Sequence, residues 1–499
     1  MKPYAWVLAG AALLMIMWLF IPNMPGGKKQ TDAKELSMRY CSSCHLYPEP
    51  GLLGKDIWVK DVLPEMGLRL GIGDKNVLLN RMSYKQYNNL IKLGLYPDTP
   101  RIPIKDWLKI VAYYREHAPA EPTQQQKKDP VQHGGQLFTQ LTIPCDSGQV
   151  GMTTMSHFIP QRKEVWLGVK NNEIQVYGLD LKKKRSFRTP SPIVDMMEQE
   201  KLLFLGIGNM LPNEDRNGRL FSMDEKGDHA KLILDSLHRP VQFIRTDLNN
   251  DHVEDILIAE YGFETGQVKW VNGRTGITDT LTTQAGARNI ILRDVNKDGL
   301  PDLYILFAQA REQVSLFMNK GAGKFNEEVL LRFPPVFGSS YMELSDMNGD
   351  GLEDLVITNG DNADYSLSPK YFHGIRIYLN DGKGGFTEKW FYPVHGATKT
   401  IVRDFDQDGD PDMAMIAFFS DKGNGESFLY FENTGKMGFQ ISDMGVPEGL
   451  WMVMEADDMD GDGDTDIILG NFQFGAEQEA RQSKDLRALI LKNTTKDHP

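Results

Sequence analysis

The rhythm of apolar and polar positions changes several times along the chain. Tyr4 to Pro22 is almost unbroken apolar sequence, long enough to cross a bilayer as one helix. It ends in Trp-Leu-Phe-Ile-Pro-Asn without a small-x-small cleavage site, so an uncleaved N-terminal anchor is expected over residues 1–30, with a secretory signal as the alternative. Thr31 or Asp32 can cap a helix through Ala33–Tyr40. A second helix is predicted over Asp106–Ala118, where Trp107, Ile110, Val111 and Tyr114 form one apolar stripe and Pro119 stops it. Residues 121–131 have almost no apolar content and read as a linker. From residue 132 the helical period disappears. Short apolar runs such as Leu355-Val356-Ile357 and Thr400-Ile401-Val402 alternate with turns, the pattern of strands.

Those strands bracket a repeated acidic loop. It occurs with oxygen-bearing side chains at Asp247, Asn249, Asp251 and Asp255; at Asp294, Asn296, Asp298 and Asp302; and at Asp346, Asn348, Asp350 and Asp354. Two further copies hold Asp404, Asp406, Asp408 and Asp412, and Asp458, Asp460, Asp462 and Asp466. Oxygens at positions 1, 3, 5 and 9 can wrap a hard cation, and glycine at position 6 permits the sharp turn. The position-12 glutamate and the flanking helices of an EF-hand are missing. Four to five structural Ca²⁺ ions are expected, the first copy being doubtful because His252 replaces the glycine. No catalysis is expected from these aspartates. A second signal recurs with each loop, an apolar strand ending in Asn with Gly and Phe close behind, as in Tyr378–Phe386. With weaker copies near Val176-Tyr177 and Leu220-Phe221, seven units can be counted.

These residues resemble the FG-GAP/VCBS repeats of integrin-α-type propellers. The resemblance implies seven four-stranded blades over residues 132–499. The last unit stops soon after Asn493, so the segment Gly134–Gln140 is expected to return as its outer strand and close the ring.

One motif stands apart. Cys41-Ser42-Ser43-Cys44-His45 is the pattern for covalent attachment of a c-type haem, with His45 as the proximal ligand. No second Cys/His pair at zinc spacing accompanies it. Residues 31–120, a helix into this motif and a closing aromatic helix, resemble a class I cytochrome c. That resemblance implies one haem c and a methionine as sixth ligand. Met66, in a predicted turn between Pro64 and Gly67, is the first choice; Met82 and His117 follow. The implied site of attachment is outside the cytoplasmic membrane of a bacterium, so the bulk of the chain would face the periplasm or cell exterior. Cys145 is left over and reads as a buried structural thiol.

The formal net charge is -13. Ion binding at five acidic loops would neutralise most of it, and nothing resembles a basic nucleic-acid footprint. The expected architecture is therefore multidomain: a transmembrane helix, a small all-α cytochrome domain and an all-β seven-bladed propeller. The expected function is single-electron transfer to a redox protein partner, with the propeller as docking platform. A propeller dehydrogenase is one alternative, with a glycan or small molecule at a mouth lined by His238, Arg239, Arg288, Tyr341, Lys399 and Trp451. An adhesion scaffold is the other.

Overall fold

The computed structural model describes residues 28–361, 368, 370–473 and 482–496. The apolar run at residues 4–22 lies outside these residues. Among the described residues, no helix is long and apolar enough to cross a membrane.

Residues 28–118 form a helical unit. Helix α1 (Lys28–Cys41) begins earlier than the Thr31 or Asp32 cap and carries Cys41 as its last residue. Helix α2 (Leu63–Arg69) follows a π-helical turn, Trp58–Val62. Helix α3 (Tyr84–Lys92) opens with a capping box between Ser83 and Gln86. Helix α4 (Ile104–His117) buries Trp107, Ile110, Val111 and Tyr114, the stripe its period predicts, and packs on α1. Trp58 and Tyr114 meet at 4.5 Å between ring centroids in the core. Their polar ends are satisfied, Trp58 Nε1 donating to the Pro50 carbonyl (2.8 Å) and Tyr114 OH to the Pro48 carbonyl (2.6 Å). One local expectation is corrected. Pro64-Glu65-Met66-Gly67 is helix α2, not a turn. Val62 before it is already helical, so Pro64 sits inside a helical run directly after the π-helical irregularity. Gly67 serves close packing instead: a Cβ there would sit 3.3 Å from the Trp107 ring and 3.2 Å from the Ile72 carbonyl oxygen.

Residues 138–493 form seven four-stranded antiparallel sheets arranged as propeller blades. Blades 1 to 6 run Thr153–Arg188, Ile193–Leu237, Pro240–Thr282, Ala287–Arg332, Ser339–Pro393 and Ala397–Ser442. Blade 7 joins the strands Trp451–Asp457, Asp466–Asn471 and Leu486–Asn493 to β1 (Phe138–Pro144). Strand β1 pairs antiparallel with the last strand from Phe138↔Asn493 to Thr142↔Leu489, closing the ring as expected, with pairing starting at Phe138. The second strands, such as Asp412–Ala417, are buried along their whole length and read as continuous apolar runs. Outer strands such as Lys183–Arg188 are mostly polar and exposed.

Every inner strand carries a register shift at the same place, between its first and third residues. A bulge reverses the in/out parity of a strand. The first residue therefore packs between blades, as Ala287, Ala397 and Trp451 do. The third and fifth, such as Tyr341 and Glu343, meet the corresponding side chains of other blades, such as Lys399 and Glu455.

The segment 121–131 is a strap laid on blades 5 and 6. Gln125 donates to the His373 carbonyl (3.3 Å), Lys128 to the Pro393 carbonyl (3.0 Å) and Tyr392 OH to the Asp129 carbonyl (3.0 Å). Lys128 also pairs with Glu426. The strap is held mainly by polar side chains, and most of it is exposed, so it needs few apolar residues.

Candidate functional site

The Cys-x-x-Cys-His segment begins at the C-terminal end of α1 and turns outward. Cys41 and Met66 both pack against the apolar cluster built on Trp58, Trp107 and Tyr114. Met82 belongs to a separate cluster with Leu78, Leu90 and Tyr96. His117 stacks on Tyr113 and bonds its carbonyl through Nδ1 (2.9 Å). Cys44 is exposed. His45 Nδ1 lies 2.9 Å from the Leu46 carbonyl oxygen. As donor there, the neutral ring carries its lone pair on Nε2, the arrangement of a metal-ligating histidine. Burial lowers the His45 pKa, and the Arg69 and Arg311 cations push it the same way, so the ring is held neutral. Burial raises the Cys41 thiol to about 11, so without a partner it stays protonated. Met38 and Leu46 flank the motif at 45% and 44% exposure, an apolar surface of the sort that a flat apolar group would cover. Two thiols, a lone-pair imidazole, a thioether and this surface suit a covalent haem.

The motif is also seated on the propeller. Arg311, in the loop between the second and third strands of blade 4, donates through Nε to the Cys44 carbonyl (2.9 Å). Arg69 of α2 pairs with Glu264 of blade 3 at 2.7 Å, and Tyr96 OH donates to the same carboxylate (3.0 Å). Gln86 reaches Asp215 of blade 2 (2.7 Å). Leu52 and Val336 pack against the cores of both units. No local sequence signal marks these residues as partners, since the contacts span 129 to 267 positions.

The acidic loops join the first and second strands of blades 3 to 7. Position 9, the expected ligand Asp255, Asp302, Asp354, Asp412 or Asp466, is fully buried in each blade. One of its oxygens accepts the N–H of position 2 and the other the N–H of a residue at the end of the third strand. For Asp354 these are Met347 (3.0 Å) and Asn380 (2.8 Å); for Asp466, Met459 (3.0 Å) and Asn493 (2.8 Å). This aspartate is a backbone staple, whatever else it binds. Position 1 accepts the N–H of position 6, as Asp346 does from Gly351 (2.7 Å). Position 6 has φ between 66° and 101° in all five loops, which glycine adopts freely and His252 adopts at 66°.

Carboxylate convergence differs between loops. One oxygen from each of Asp404, Asp406 and Asp412 lies within 4.8 Å of the others, as do those of Asp458, Asp460 and Asp462. These are the acid-richest copies, which suits a hard cation, although in the blade 7 loop Lys492 Nζ already lies 3.0 Å from Asp460. In the first loop Arg274 Nε lies 3.2 Å from Asp251. A protein cation there competes with an ion. In the third, Asn348 donates to Asp350 (2.9 Å), as Asn296 does to Asp298 in the second.

The residues expected at a propeller mouth do not form one group, although Arg239 and Arg288 both lie over the Tyr261 ring (5.4 and 5.7 Å). His238 is fully buried, with Nε2 3.0 Å from the Asn213 carbonyl oxygen, and Trp451 is fully buried in the core between blades. Arg239 is buried and bonds the Gly262 carbonyl (2.7 Å). Arg288 bonds the Ser340 carbonyl (3.2 Å). For Trp451 the bulge explains the miss, because the first residue of an inner strand packs between blades. Lys399 does lie over the Tyr341 ring (4.6 Å) in a polar cluster on the inner strands. There Tyr341 OH donates to Glu343 (3.2 Å) and His157 pairs with Glu455 (2.7 Å). Burial opposes the charge of His157, but Glu455 outweighs it and the pKa is raised. Burial alone drives Asp195 up to about 7 against the opposing Phe243 N–H bond and the His157 and Lys399 charges.

The FG-GAP-like repeat family matches residues 294–357 and 346–415. Each match runs from one acidic loop through the next, so the chain carries FG-GAP-like repeats on a seven-bladed propeller. Among solved structures, the chain is similar to the Neurospora crassa Pan2 WD40 domain, with 11% identity, 72% of this chain and 97% of that one covered, and a TM-score of 0.44. It is similar to U3-55K at 10% identity, 71% and 98% coverage and a TM-score of 0.44. BBS1N, in complex with ARL6DN, matches at 9% identity, 70% and 97% coverage and a TM-score of 0.42. The propeller with its FG-GAP-like repeats is a scaffold suited to binding.

Proposed function

We propose that the chain is a membrane-anchored, extracytoplasmic one-electron carrier. In this account Cys41 and Cys44 would hold a c-type haem by thioether bonds, His45 and Met66 would be its protein ligands, and the propeller would dock a redox protein partner. The observation that supports it most is the shared cluster: Cys41 and Met66 pack on the same apolar core while His45 Nδ1 lies at the Leu46 carbonyl. The haem, when bound, would supply the one-electron couple. The protein's own residues shield one side of it, fix the imidazole tautomer and orient the segment. The acidic loops would take Ca²⁺ as structural ions, those of blades 6 and 7 foremost. Residues 1–22 would tether the assembly to the membrane.

A second reading has a specific support. Lys399, Tyr341, Glu343, His157 and Glu455 form an acid–base-capable group on the inner strands. A propeller dehydrogenase passing electrons to its own haem would use such a set, and product formation from a candidate substrate would separate it from a pure carrier.

The carrier account is tested on full-length protein matured in a host with haem-attachment machinery. The reduced protein is expected to give a c-type spectrum, and the oxidised protein a weak long-wavelength sulfur-to-iron band. Met66→Ala is expected to abolish that band while leaving the haem attached. A band that survives in Met66→Ala and disappears in Met82→Ala would reassign the ligand.

A further inference from the structure

Two arginines join the helical unit to the propeller, one from each side. Arg69 belongs to α2; Arg311 belongs to the blade 4 loop, 267 residues from the carbonyl it grips. We propose that the propeller supplies part of the haem site, with Arg311 as a positioning and electrostatic residue that fixes the Cys44–His45 peptide and raises the reduction potential. This inference rests on the electron-carrier reading and names a device within that same site.

Arg311 Nε donates to the carbonyl that directly precedes His45, so it restrains the peptide on which the imidazole is carried. Its guanidinium keeps its positive charge at any physiological pH. The Arg311 charge therefore sits one peptide away from the imidazole-bearing residue. Arg69 is partly neutralised by Glu264, whose carboxylate lies 2.7 Å away. Arg311 is exposed. The contact surface around it is anchored on both sides, by Arg69 and Tyr96 on Glu264, by Gln86 on Asp215, and by Leu52 and Val336 between the two cores. The two units are thus joined by several contacts, of which the Arg311 bond to the Cys44 carbonyl is the one that reaches the motif.

The electrostatic consequence follows from charge. Adding one electron to the ferric site, without a proton, removes one unit of positive charge. A nearby cation favours that change, and its removal disfavours it.

The experiment compares the full-length haem-loaded parent with Arg311→Ala, Arg311→Gln and Lys320→Ala. Lys320 is an exposed cation at the far end of blade 4 and controls for net charge. Haem content is measured first by pyridine haemochrome, then the midpoint potential by spectroelectrochemical titration with mediators. At the parent's midpoint, Arg311→Ala and Arg311→Gln are expected to show a reduced-to-oxidised ratio about three- to tenfold lower, with Lys320→Ala unchanged. Amide exchange in residues 42–46 should rise in Arg311→Ala. Gln keeps a neutral donor, so it remains informative if Ala disturbs folding. If both Arg311 variants carry haem and match Lys320→Ala in potential, the inference is overturned. If the parent itself carries no haem, the carrier reading fails and takes this inference with it.

Discussion

Single residues decide the acidic loops. Position 9 carries two jobs in the sequence pattern, as a cation ligand and as the start of a strand, and spacing alone could not rank them. The structure gives it two backbone N–H donors and complete burial, so its loss strands two amides. Asp354→Ala is expected to destabilise the propeller by about 3–5 kcal/mol in urea, and Asp350→Ala in calcium-free buffer by under about 1 kcal/mol. Equal losses would contradict the staple. Asp195 provides a pH test. Burial raises its folded pKa to about 7, well above the ordinary carboxylate value. The folded state then binds the proton more tightly than the unfolded state, so stability is lost as pH rises from about 4 through about 7. His157, Lys399 and the Phe243 N–H face this carboxylate and limit the effect. Asp195→Asn, which keeps an acceptor for Phe243, should match the parent near pH 4 and exceed it by about 1–2 kcal/mol at pH 8. A variant that is destabilised equally at both pH values would contradict this.

At the scale of elements, much was legible. The α4 stripe, the seven repeats and the strand that closes blade 7 all followed from period and count, because each depends on local pattern. The π-turned entry to α2 and the helical Met66 did not, because Pro64 and Gly67 fit a turn as well as a tightly packed helix. The shared inner-strand bulge was also hidden. It leaves no residue signature common to the blades, yet it decides which side chains pack between blades, and so it misplaced Trp451. The acidic loops, as elements, carry the metal prediction. Chelation should lower the propeller's Tm and added Ca²⁺ restore it, since an ion bound only by the folded state stabilises by mass action. Asp406→Ala combined with Asp460→Ala should remove most of the calcium-dependent shift. An unchanged Tm on chelation would leave these loops as turns.

At the scale of the whole molecule, the arrangement of the units could not be read from the chain. Arg69, Tyr96, Glu264 and Arg311 carry no motif, and the strap at 121–131 looked like a free linker because its contacts are polar. Folding places the Cys-x-x-Cys-His segment on the propeller rather than away from it, and this gives a scaffold built for binding a second task to perform. The account stands on whether Cys41 and Cys44 hold a haem. The most direct measurement is the intact mass of the denatured full-length protein after maturation in a competent host. The expected result is a chain heavier by one haem, returning to the bare mass when both cysteines are replaced by serine. A bare mass for the parent would contradict the account and leave an FG-GAP-like binding propeller with an unmodified thiol pair.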